Sequence, residues 1–178
     1  GKLGLMDRPK DTPGKQACAA VGQCELMYLY DNLFSEYSIT VAQLLLTKYI
    51  LLEDRRKNVE NALERLISQG VIPVVNENDT VAIDELELEM GENDSLAAVV
   101  ATIANADLLI IMSDIDGLYD SDPRQNPDAK MIPVVREISE DIHAVAGGAG
   151  TKFGTGGMAT KIHAVEIAYE SDIDVVLM

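Results

Sequence analysis

Short apolar, β-branched runs alternate along this chain with segments of helical periodicity, and that alternation restricts the possible folds more than any other feature. Residues 107–112 enclose the continuous run Leu108-Leu109-Ile110-Ile111, which predicts a strand buried on both faces. Val59, Ala62, Leu63, Leu66 and Ile67 recur at helical spacing, with Asn58 as N-cap and Gly70 as the C′ stop. A short strand follows over residues 71–75, where Pro73 points to an edge or irregular position. Residues 95–104 are apolar nearly all round and read as a buried helix. Residues 16–37 read as a long helix, 39–46 as a strand, 158–170 as a helix and 173 onward as a last strand. Helices alternating with apolar strands predict an α/β sandwich around a largely parallel sheet.

A chain of 178 residues suits one domain. Residues 173–178 stop inside a strand and Gly1-Lys2-Leu3-Gly4 begins without one, so the chain reads as truncated at both ends. No apolar run reaches the roughly 18 residues of a membrane span, and residues 1–10 hold no leader-like stretch. A soluble protein with no membrane partner is expected. The net charge of −16 repels nucleic acid and requires that any nucleotide substrate be neutralised locally. Cys18 and Cys24 lack Cys-x-x-Cys spacing and read as buried reduced thiols, which suits the cytoplasm.

Four polar clusters could carry chemistry. Gly154-Thr155-Gly156-Gly157-Met158-Ala159-Thr160-Lys161 is a glycine-rich loop opening into a helix, either a phosphate cradle or a flexible linker with an incidental lysine. A lysine in the first helical turn opposes the helix dipole unless a negative group lies nearby. The spacing matches neither a Walker A loop nor Gly-x-Gly-x-x-Gly. Asn76-Glu77-Asn78-Asp79 follows a strand, where α/β sheets gather ligands; it could hold a small zwitterion or simply form a turn. Gly91-Glu92-Asn93-Asp94 precedes the buried helix at Ser95 and is open to the same double reading, as cap or ligand group. The two clusters bracket residues 81–90, which suggests a hairpin-like lid. Ser113-Asp114-Ile115-Asp116-Gly117-Leu118-Tyr119 again ends a strand, but lacks the glutamate an EF-hand loop needs. His143 and His163 have no metal-ligand spacing and read as solvated or packing residues, so no protein-held metal is expected.

Taken together, residues 71–79, 91–98, 106–119 and 154–161, in that order, resemble the glutamate 5-kinase branch of the amino acid kinase family. The stretches 18–23 and 44–47 are similar to it as well, so the resemblance covers essentially the whole chain. It implies a three-layer sandwich with an open, mainly parallel sheet, here with the N-terminal strand and its phosphate-contacting lysine missing. It implies ATP and Mg²⁺, with the metal bound mainly through the phosphates, and L-glutamate as acceptor. Proline as feedback inhibitor and a homo-oligomeric assembly follow from the same resemblance. By motif position, Asp79 and Asn93 would bind glutamate, while Ser113, Asp114, Thr155, Gly156, Gly157, Met158, Ala159, Thr160 and Lys161 would bind ATP. Asp94 would orient the catalytic lysines, and Lys161 would stabilise charge on the transferring phosphoryl group. Two alternatives stay open: an acetylglutamate kinase or aspartokinase, sharing the ATP half, or a non-catalytic metabolite-sensing module of the same fold.

Overall fold

The computed structural model describes residues 3–5, 7, 9–47, 50, 52–81, 93–147 and 157–178. The lid expected over 81–90 therefore lies, apart from Val81, outside the described residues, as do Thr155 and Gly156. The chain forms two compact units, Gly1–Leu88 and Glu89–Met178.

In the first unit, helix α1 (Thr12–Ser35), strand β1 (Val41–Leu46), helix α2 (Glu53–Ser68) and strand β2 (Ile72–Glu77) follow in order. β1 and β2 pair in parallel, with Val41 opposite Ile72 and Leu46 opposite Glu77. Asp11 caps α1 by accepting from the Gly14 N–H at 2.9 Å, and a proline in the first turn adds a preset φ. That cap starts the helix four residues before position 16. The Ile72 N–H donates to the Thr40 carbonyl and the Asn78 N–H to the Leu46 carbonyl. Even-numbered residues of β2 thus face β1, and the N–H that Pro73 lacks would have pointed the other way, so the proline removes no bond from this ladder.

The second unit holds α3 (Asn93–Ile103), β3 (Leu108–Ile111), α4 (Glu140–Gly147), α5 (Gly157–Tyr169) and β4 (Asp174–Leu177). β3 and β4 are also parallel, Leu108 facing Asp174 and Ile111 facing Leu177. The core is built from Ala98 and Ala101 of α3, Ala164 and Ala168 of α5, Leu109 and Ile111 of β3, and Ile173. Alanines at these positions let two helices lie close to each other and to the strands, and the close packing makes added volume unwelcome.

Among the described residues, all four helix-to-strand joints use one device. Ser38 (φ 58°), Gly70 (φ 71°), Asn105 (φ 50°) and Asp172 (φ 56°) take the left-handed conformation after α1, α2, α3 and α5. The next N–H in each case reaches a carbonyl five residues back: Ile39 to Phe34, Val71 to Leu66, Ala106 to Ala101 and Ile173 to Ala168, at 3.0–3.1 Å. This Schellman closure satisfies orphan carbonyls and turns the chain straight into a strand. Each helix therefore ends beside the start of the strand it feeds. With parallel strands, its N-terminus consequently lies toward their C-terminal edge.

Several expectations need correction. α2 starts at Glu53 after Leu52, which makes no side-chain cap, so Asn58 lies inside the helix and is not its N-cap. Glu53 and Asp54 in the first turn and Arg65 in the last complement the dipole instead. β3 is not buried on both faces: Leu109 and Ile111 are, but Leu108 and Ile110 are 48% and 52% exposed. The covered face is the one that packs on α3 and α5. Cys18 is half-buried and Cys24 exposed, because α1 spreads its apolar residues round its circumference and buries none of them fully. α4 was not foreseen. The other elements fall within a few residues of expectation, and both ladders are parallel, as an α/β reading requires.

Candidate active site

α3 and α5 both run into parallel strands through tight joints, so their N-termini meet at the C-terminal edge of the β3–β4 pair. That edge is where open α/β sheets bind ligands. Lys161 and Asp94 join the two helices there: Nζ donates to Oδ2 at 2.8 Å, with side chains 16% and 21% exposed. Asp94 is the second residue of α3, where a carboxylate is favoured by the dipole. Lys161 is the fifth residue of α5, one residue further in than the sequence suggests. Its negative neighbour, which helical spacing alone does not identify, is Asp94. A partly desolvated pair of this kind is fixed in place, since removing either partner leaves the other charge uncompensated. An ammonium has three donors. One goes to Asp94, and the others can meet phosphoryl oxygens.

The first turn of α5 adds Gly157, Met158, Ala159 and Thr160, with Met158 and Thr160 half-buried. The Thr160 hydroxyl donates to the Gly157 carbonyl at 3.0 Å. N–H groups at a helix start, with Lys161 one turn in, suit the charge and oxygen acceptors of a phosphate.

Beyond β3 the pairing continues, the Ser113 N–H donating to the Met178 carbonyl at 2.6 Å. Ser113 Oγ lies 3.4 Å from Asp114 Oδ1 and accepts from the Ile115 N–H at 3.4 Å. Asp114 is exposed and forms an ion pair with Arg124. The hydrogen bond and charge of Arg124 hold the Asp114 carboxyl below its ordinary range. Tyr119 donates to Asp116 Oδ1 at 2.9 Å, a bond that raises the phenol above its usual value. The loop then folds back, Tyr119 bridging Met131, with the Ile132 N–H donating to the Leu118 carbonyl.

In the first unit, Asn76 and Glu77 are the last residues of β2 and do not follow the strand. Asp79 stands exposed in the turn just after it. Asn93, the first residue of α3, is also exposed. Asp79 and Asn93 thus lie at the C-terminal edges of two different parallel pairs. The structure brings Asp94 to Lys161, a contact that spacing alone does not give; Ser113 and Asp114 are neighbours within one motif. Sequence reasoning missed Arg124 and also Gln23, whose Oε1 accepts from Asn76 Nδ2 at 3.0 Å. No spacing signal marks either. The histidines are not merely solvated: His143 Nε2 and His163 Nδ1 lie 3.0 and 3.4 Å from the two oxygens of Glu166, tying α4 to α5.

Residues 2–178 match the amino acid kinase family, and the chain belongs to it. Among its relatives, the glutamate 5-kinase of Clostridium perfringens is 53% identical over 180 residues, covering 99% of this chain and 67% of that protein. The glutamate 5-kinase of Carboxydothermus hydrogenoformans is 51% identical over 178 residues, covering 99% and 47%. That of Clostridium acetobutylicum is 52% identical over 178 residues, covering 99% and 66%. The chain thus spans between about half and two-thirds of the length of these relatives. No described helix is long and apolar enough to cross a membrane.

Proposed function

We propose that residues 1–178 form part of the kinase domain of an enzyme that transfers the γ-phosphoryl group of ATP to the side-chain carboxylate of L-glutamate. The product is glutamyl 5-phosphate, and the step opens proline biosynthesis. The observation that carries this reading is the Lys161–Asp94 pair at 2.8 Å, set where two helix N-termini meet a strand edge. Relatives named glutamate 5-kinase, about half identical over the whole chain, support the choice of acceptor.

In this reading, Ser113, Asp114, Thr155, Gly156 and the α5 start from Gly157 to Lys161 hold ATP. Asp79 and Asn93 hold glutamate, the carboxylate of Asp79 accepting from the substrate ammonium. Mg²⁺ enters with the phosphates and neutralises part of their charge. Asp94 is the positioning residue for Lys161, holding the ammonium where equatorial oxygens gain charge during transfer. The attacking carboxylate is already ionised at neutral pH, so no general base is required and positioning supplies most of the catalysis. Proline competing at or beside the glutamate site, a homo-oligomeric assembly and a cytoplasmic location complete the proposal.

The test is ADP release by the full-length protein with Mg²⁺ and ATP, offering L-glutamate, N-acetylglutamate and L-aspartate in turn. Release that depends on L-glutamate is expected. Dependence on N-acetylglutamate or aspartate instead would overturn the acceptor assignment, since a free α-amino group needs acceptors that an acetylated one does not.

A further inference from the structure

α1 and β2 meet at one pair of amide side chains. Asn76 Nδ2 donates to Gln23 Oε1 at 3.0 Å, and the Glu77 N–H donates to Asn76 Oδ1 at 2.9 Å. The second bond decides which way the Asn76 amide faces, because its oxygen must lie toward that N–H. Its amino group is thereby directed at Gln23, which must present oxygen in return. Turned over, the Gln23 amide would set donor against donor. In the observed orientation Gln23 Nε2 is buried with no hydrogen-bond partner among the described residues. A buried amide with one half unsatisfied is a poor source of stability, because desolvation of the orphan donor offsets the bond made by the oxygen. What the pair does accomplish is geometric. Both polar atoms of Asn76 are engaged, and two residues on the Asn78 N–H is tied to the Leu46 carbonyl at 2.7 Å. The exposed Asp79 follows directly.

We infer that Gln23 is a positioning residue for the acceptor site: it locks the Asn76 amide at the end of β2 and so fixes the turn that presents Asp79. The inference rests on the assignment of Asp79 to glutamate made above. It places a determinant of acceptor binding on α1, 53 residues away in sequence from the residue it holds.

The test uses the full-length protein and the variant Gln23→Met, which keeps the length of the side chain but removes both the acceptor and the orphan donor. Removing two amide atoms of which only one is bonded leaves thermal stability within about 2 °C of the parent. The KM for glutamate rises roughly three- to ten-fold, the scale of one hydrogen bond, while the KM for ATP stays unchanged. The same substitution made on an Asn76→Ala background adds no further rise, because Gln23 acts through Asn76. An unchanged glutamate KM in Gln23→Met, alongside a raised one in Asp79→Ala, overturns the inference and leaves the acceptor site standing. A parallel rise in both KM values with a fall in thermal stability overturns it in favour of a packing role. If Asp79→Ala itself leaves the glutamate KM unmoved, the acceptor assignment fails and the inference falls with it.

Discussion

Asp114 shows how one neighbour sets a residue's chemistry. Its carboxyl titrates below the ordinary value of 3.8 chiefly because Arg124 donates to it and faces it with positive charge. Replacing Arg124 with glutamine should return the Asp114 carboxyl toward that value, as followed by NMR titration of the side-chain carbon; an unmoved midpoint would contradict the assignment. The folded-state value is depressed, so whatever stability the pair contributes is complete above the unfolded value and is lost as pH falls through the folded one. On a fully exposed pair that contribution is small. Asp94 and Lys161 were legible as candidates, one as an acidic residue at a helix start and the other as a lysine beyond a glycine-rich loop. Their contact was not legible from spacing, since 67 residues separate them and only the folding of two α/β joints brings them together. Arg124 and Gln23 were invisible for the same reason: each partner is chosen by where the chain returns, not by a local pattern.

Among the elements, the four left-handed joints are the most repetitive feature and the easiest to test. Gly70 has φ 71° and open space where a Cβ would stand, so Gly70→Ala meets no side-chain clash and reports backbone strain alone. A loss of about 1–2 kcal/mol in urea denaturation is expected; an unchanged midpoint would mean the joint does not require the left-handed conformation. The α3–α5 contact makes the opposite prediction. Ala164 is fully buried in the alanine-rich core, and Ala164→Leu should destabilise by roughly 1–3 kcal/mol through overpacking. The helices and strands around these joints were largely readable because their apolar periodicity is strong. α4 was not, since its apolar stripe of Ile142, Val145 and Ala146 spans eight residues only and is half-buried, too short a periodicity to stand out. β3 was misjudged in burial because a continuous apolar run does not reveal which face a helix will cover.

At the scale of the whole molecule, the charge of −16 dominates. Among the described residues, Lys57–Glu60 and Arg124–Asp114 are exposed ion pairs. Such pairs contribute little against a general excess of carboxylates. Raising salt from about 0.05 to 0.5 M should therefore raise the thermal midpoint, as screening weakens repulsion more than it weakens the pairs; a falling midpoint would contradict that balance. In the proposed reading the same excess of negative charge makes each cation near the phosphates matter, and among the described residues Lys161 is held at the strand edge by Asp94. Steady-state ADP release by Lys161→Ala in the full-length protein, at saturating glutamate and varied ATP, tests the central claim most directly. A kcat lowered about 10²- to 10³-fold with the KM for ATP little changed is expected, because the proposed role of the ammonium is to act where charge gathers in the transition state. A kcat equal to that of the parent would contradict it.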